Sequence, residues 1–138
     1  MEYLKDLVDY GILGILIFMS FLSLWFFIER MLFYKNVDPE KYKNKKEYEV
    51  ALTGNLTTIG TIASNAPYIG LLGTVLAIML TFYTMAQNGM VASKVVMALA
   101  LALKATAVGL VVAIMAMIFY NILLRNVEKL MAGFDEKI

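Results

Sequence analysis

Three long uncharged stretches organise this chain, and they differ in how their apolar residues are arranged. The first, Gly11 to Ile28, is filled with Leu, Ile and Phe on every side of a helical projection. The second lies inside the longest charge-free run, Val50 to Ser93, and the third runs from about Val95 to Leu124. With their flanks, all three reach the roughly 20 apolar residues that a helix needs to cross a bilayer. The pattern predicts spans at residues 11–34, 57–87 and 95–124. Around them it predicts an amphipathic segment at 1–10, loops at 35–56 and 88–94, and a polar helical tail at 125–138.

The second and third spans carry a further periodicity. Ala63, Ala66, Gly70, Gly73, Ala77, Thr81 and Thr84 recur every three or four residues, as do Ala98, Ala102, Ala105, Gly109, Ala113 and Ala116. That spacing puts small side chains in one stripe along each helix. Lipid is as apolar as leucine, so helices in a membrane associate through close backbone approach, which such stripes permit. Gly70, Gly73, Ala77, Ala105 and Gly109 are the expected close-packing positions. Thr74 and Thr106 place one hydroxyl in each stripe-bearing helix. Pro67 is expected to kink the second span, with Ser64 or Asn65 satisfying freed backbone groups.

Composition agrees with the pattern. Of 138 residues, 61% are hydrophobic, too many for a water-soluble fold of this size. The chain has no Cys and no His, which removes disulfides, thiol nucleophiles, imidazole proton shuttles and the common zinc motifs. No nucleophile–base pair can be assembled, so no enzyme, metal or cofactor is expected. A net charge of +1 gives no footprint for nucleic acid. No small-residue cleavage site follows the acidic N-terminal segment, so no removable signal peptide is expected.

Charge also orients the spans. Arg30, Lys35, Lys41, Lys43, Lys45 and Lys46 fall at or beyond the end of the first span, within residues 29–50, and Arg125, Lys129 and Lys137 fall after the third. The opposite ends hold only Lys5 and Lys94. Basic residues mark the cytoplasmic side. The N-terminus and the 88–94 loop are therefore expected outside, in the periplasm, and the C-terminus inside.

Two motifs, Ala66-Pro67-Tyr68-Ile69-Gly70-Leu71-Leu72-Gly73-Thr74-Val75 and Ala105-Thr106-Ala107-Val108-Gly109-Leu110, are followed by Ile118-Phe119-Tyr120-Asn121. Together they resemble the ExbB/TolQ/MotA family of proton-channel proteins. Three spans and a small cytoplasmic part make the chain most similar to the ExbB branch, with TolQ next. The resemblance implies an all-α membrane protein of the bacterial inner membrane that forms a homo-oligomeric ring, a pentamer in the best-described cases. It also implies an ExbD-like single-span partner with an intramembrane Asp, a TonB-like protein, and use of the proton motive force for work on the outer membrane. Thr74 and Thr106 match the family's two pore-facing threonines. The glutamate that ExbB-type relatives often carry five residues before the second threonine is replaced by Leu101.

The charge map sharpens that departure. All acidic residues lie in 1–49 or 128–138, so neither stripe-bearing span holds a carboxylate. A membrane proton carrier needs a group that binds and releases a proton, and a threonine hydroxyl does neither at physiological pH. Any carboxylate must then come from a partner. Lys104 is the one charge within these two spans. It has two readings: snorkelling to the outer head groups, or an intramembrane ion pair with a neighbouring subunit or partner. It sits about 200° around the helix from Thr106, on a different face. Besides the channel reading, a non-conducting membrane scaffold and a small transporter protomer stay open from the residues alone.

Overall fold

A computed structural model describes residues 2–137, and these form four helices. They are α1 (Glu2–Asn36), α2 (Lys45–Leu52), α3 (Leu56–Asn88) and α4 (Ala92–Lys137), with a 3-10 turn at Pro39–Lys41. α1, α3 and α4 are each long and apolar enough to cross a membrane. At 35, 33 and 46 residues, they measure about 52, 50 and 69 Å, well beyond a hydrocarbon core of about 30 Å. All three must project past it.

Two boundaries differ from the sequence expectation. The segment 1–10 is no separate surface element; it forms the opening turns of α1. No proline lies between Tyr3 and Ile28, and Gly11 and Gly14, at about 1 kcal/mol each relative to Ala, do not break the helix. The helical tail expected after residue 124 continues α4 without interruption. The turn between α3 and α4 shrinks to Gly89–Val91, because Gly89 adopts φ 90°, a backbone state that side chains disfavour.

α3 and α4 form an antiparallel pair, and α1 lies against both. The Phe27–Phe119 stack, at 4.5 Å between centroids, and the Asn126–Met31 contact set α1 parallel to α4. Only a narrow line of α1 is buried, through Ile12, Leu16, Ser23, Arg30 and Tyr34, while Phe18, Phe21, Trp25 and Leu32 stay exposed. α1 is thus not lipid-facing all round. Its outward aromatic face is what a lipid solvent covers.

Below the spans, α2 folds back under the bundle. Asn44 caps it, its side chain accepting from the Glu47 N–H at 2.7 Å, and Tyr48 is fully buried against Phe134 of α4. Burial first, then Tyr42 and Asp38, push the Tyr48 phenol above the ordinary tyrosine value, so it packs as a neutral ring. The other end of α2 is held by α1. Arg30 Nη1 donates to Ala51 O at 2.8 Å, and the Tyr34 hydroxyl donates to Leu52 O. These are carbonyls that a helix C-terminus leaves without partners. Glu29 clamps the same guanidinium through both oxygens and accepts from Asn55. Asn55 is the residue at φ 67° that turns the chain into α3, a conformation asparagine tolerates better than most. Arg30→Ala is expected to cost about 1.5–3 kcal/mol and Tyr34→Phe about 0.5–1.5 kcal/mol. Unfolding titrations of the detergent-solubilised protein would read that order; equal losses would show that the charge contributes nothing extra.

Candidate functional site

The site is built where the two small-residue stripes meet. Ala63, Ala66, Gly70, Gly73, Ala77 and Thr81 are buried on α3, as are Ala98, Ala102, Ala105, Gly109, Ala113 and Ala116 on α4. The stripes face each other within one chain. A Cβ added at Gly70 would stand 2.6 Å from Ala105 O, and one at Gly109 would stand 2.7 Å from Ala66 O. Backbone therefore lies on backbone at these two positions. Gly73 differs, since its added Cβ would meet Ile12 Cγ2 of α1 at 2.8 Å and Ala105 Cβ at 3.0 Å. Ala77 is buried one turn further along.

Close approach brings the two threonines together. The hydroxyls of Thr74 and Thr106 are hydrogen-bonded to each other across the helix pair. Thr74 Oγ1 also lies 2.9 Å from Ala102 O and 3.3 Å from Gly70 O. Carbonyls only accept, so the proton of Thr74 goes to Ala102 O, and Thr106 donates to Thr74. Both hydroxyl protons are then used inside the pair. Thr74 is only 6% exposed, whereas Thr106 is half-buried. Thr106 is thus the more accessible residue of the two, and with its proton used inside the pair its oxygen has only lone pairs left to offer.

Pro67 is half-buried inside α3, and the helix runs through it unbroken. Ser64 and Asn65 do not satisfy the carbonyl of Ala63 that the proline leaves without its helical donor. Ser64 bonds to Gly60 O at 2.9 Å and Asn65 to Thr61 O at 2.8 Å. Each side chain reaches one turn back from its own position, which falls short of Ala63.

Lys104 is exposed and makes no ion pair among the described residues. It lines a cavity of about 120 Å³ with Asp6, Asp9 and Tyr10 of the same chain. Its nearest acidic neighbours in the structure are thus its own α1, reached because α1 stays helical back to Glu2. The sequence reading missed the Glu29–Arg30–Tyr34 cluster that ties α1 to α2 and to the start of α3. The signal was there, since an Arg and a Glu adjoin the end of an apolar run. The partners are carbonyls, however, and carbonyls leave no mark in a sequence.

A glycine-packed pair of helices, with no carboxylate between residues 56 and 127, sharing a hydroxyl pair and braced by a third helix, defines a multi-pass helical membrane protein with a polar element between its spans. Residues 26–136 match the MotA/TolQ/ExbB proton channel family, and the chain belongs to that family. It is 55% identical over 133 residues to the biopolymer transport protein ExbB of Aquifex aeolicus, covering 95% of this chain and 90% of that protein. It is 50% identical over 135 residues to the ExbB of Helicobacter pylori strain J99, covering 97% and 93%. A putative ExbB-like protein 2 of H. pylori strain 26695 is 47% identical over 133 residues, covering 96% and 89%.

Proposed function

We propose that this chain is the ring-forming channel subunit of an ExbB-like energy transducer in a bacterial inner membrane. Copies of it, five in the arrangement favoured here, surround ExbD-like single-span helices. Protons driven by the membrane gradient pass with the help of the partner's intramembrane Asp. The resulting motion acts on a TonB-like protein to drive outer-membrane transport. Relatives named ExbB, matched over about nine-tenths of their length, support this reading over a TolQ-like role.

One observation carries the proposal: the Thr74–Thr106 hydroxyl pair lies between two spans that contain no carboxylate. The pair accepts hydrogen bonds but titrates no proton. A partner's carboxyl group arriving at Thr106 meets an acceptor, so its protonated, neutral form is held best. Losing the proton would weaken that contact and free the partner helix to move. Each elementary charge crossing gains about 2.3 kcal/mol per 100 mV, and the partner's Asp is where that energy enters the machine. Gly70, Gly73, Ala77, Ala105 and Gly109 keep the two backbones close enough for the hydroxyls to meet, and Pro67 supplies a flexible point below them.

The test is proton flux in vesicles holding this chain alone, its single-span partner alone, or both. Flux is expected only with both. Flux through this chain alone would overturn the assignment of the carboxylate to the partner. Orientation is checked separately with cysteines introduced at Asn88 and Lys45. An impermeant reagent should label the first from the periplasm and the second only from the cytoplasm. Labelling of position 45 from the periplasm would reverse the topology.

A further inference from the structure

The cavity beside Lys104 holds charges of both signs that do not touch. Asp6, Asp9 and Tyr10 of α1 line one side, and Lys104 and Leu101 of α4 the other. Lys104 makes no ion pair with any described residue, although two carboxylates share its cavity. Opposite poles left open around a space of about 120 Å³ suit a guest that itself carries both charges.

The register of the helices orders those poles. Ile12 and Ala105 both border Gly73, so they lie at one depth, and α1 runs parallel to α4 from that point. Lys104 is then level with Gly11. Asp9 sits about 3 Å, and Asp6 about 7 Å, nearer the α3–α4 turn, at the helical rise of about 1.5 Å per residue. The cation is the deeper pole and the carboxylates are the shallower one. A phospholipid in the leaflet on the side of the turn presents its charges in the complementary order, phosphate next to the glycerol and any amine beyond it.

We propose that this cavity binds the headgroup of a phospholipid ending in a primary ammonium, an ethanolamine phospholipid, with its phosphate on Lys104 and its ammonium on Asp6 and Asp9. An anionic glycerol headgroup satisfies Lys104 but brings no cation to the carboxylates. A choline headgroup carries its charge on methyl groups and donates no hydrogen bond to them. Leu13 of α1, about 3 Å deeper than Lys104 at the helical rise, gives the glycerol and upper acyl chain an apolar wall. The site ties the outer end of α1 to α4 through lipid, in a stretch of α1 where Tyr3, Leu4, Leu7 and Tyr10 are exposed. It rests on the membrane placement of the chain and not on proton coupling, so the flux experiment and this one can fail independently.

The test is lipid retention on the purified full chain by native mass spectrometry after exchange into micelles doped with ethanolamine, glycerol or choline phospholipid. Wild-type protein is expected to keep the ethanolamine lipid roughly tenfold better than either other lipid, about the worth of one charge-assisted contact. The double change Asp6→Asn with Asp9→Asn should erase that preference, Lys104→Gln should lower retention of all three lipids, and Lys104→Arg should preserve both retention and preference. Equal retention of ethanolamine and glycerol lipids by the wild type would overturn the proposal, and that comparison requires no variant to fold. Undiminished preference in the Asp6→Asn/Asp9→Asn protein would overturn it as well.

Discussion

Gly109→Leu and Gly70→Leu are each expected to abolish the folded α3–α4 pair, and with it every assembly that the chain forms. The cause is geometric. Even a single methyl group at these positions would stand 2.7 Å from Ala66 O and 2.6 Å from Ala105 O respectively. Both obstacles are main-chain atoms, which cannot rotate away as a side-chain tip can. Overpacking in a well-filled interior costs about 1–3 kcal/mol even when side chains yield. Against it stands a helix-propensity gain of only about 1 kcal/mol for Gly→Ala. Gly109→Ala should therefore be a net loss and Gly109→Leu more than a marginally stable chain tolerates. Gly73→Ala supplies the contrast. Its methyl would meet Ile12 Cγ2 at 2.8 Å, the end of a side chain that can shift, so it should be milder than either alanine change on the backbone contact. Unfolding of the detergent-solubilised protein, with its oligomeric state followed by native mass spectrometry, reads all of these together. Intact assemblies from Gly109→Leu would show that the two helices do not depend on contact here. If Gly73→Ala proved the most harmful of the alanine series, the location of the tightest contact would be wrong.

The ranking of these glycines shows what can be read from a sequence in lipid. The small-residue stripes of α3 and α4 were legible, because small side chains in a membrane span have no reason to recur every three or four residues except close packing. Whether the stripes face each other or a second copy was not legible, since both arrangements use the same residues. The structure places the contact inside the chain. The buried line of α1 was invisible for a related reason. In water a buried face is marked by the contrast between apolar and polar residues, but here leucine faces lipid as readily as protein. Ser23, buried and donating to Ser20 O at 2.9 Å, is a mid-span hint that α1 has an inner side. The reach of α1 back to Glu2 was missed because charged residues read as surface. That reach is what sets Asp6 and Asp9 opposite Lys104.

Thr74 and Thr106 were legible as a pair of hydroxyls at similar depth, but their bonding was not. From sequence alone, each hydroxyl is free to donate to a carboxylate. In the structure, Thr106 donates to Thr74, and Thr74 donates to Ala102 O. The sign of the interaction proposed with a partner's carboxyl group changes accordingly, favouring the neutral acid.

Thr74→Val together with Thr106→Val is expected to reduce partner-dependent proton flux at least tenfold while leaving the chain folded and assembled. Valine keeps the branched shape and removes only the hydroxyl, so the packing of α3 on α4 survives. No buried carbonyl is orphaned, because Ala102 O and Gly70 O sit inside helices that supply their own amide donors. The stability lost should be only the net worth of the hydrogen bonds, about 0.5–1.5 kcal/mol each. On the proposed mechanism, what disappears is the acceptor for a partner's protonated carboxyl group, and one such contact is worth roughly a factor of ten. The two single changes should differ. Thr106→Val removes the hydroxyl of the more accessible residue of the pair and should act almost as strongly as the double change. Thr74→Val leaves Thr106 in place but takes away the group its proton goes to. Thr106 is then free to donate outward, and the preference shifts from the neutral acid toward the carboxylate. The pH dependence of flux should therefore move to lower pH in Thr74→Val, because a stabilised carboxylate holds its proton less tightly. Thr106→Ser keeps an oxygen at the same position and should restore much of the flux. Wild-type flux from the double valine protein would remove the hydroxyls from the mechanism. An unshifted pH profile in Thr74→Val would show that the direction of the bond between them does not govern the partner's proton.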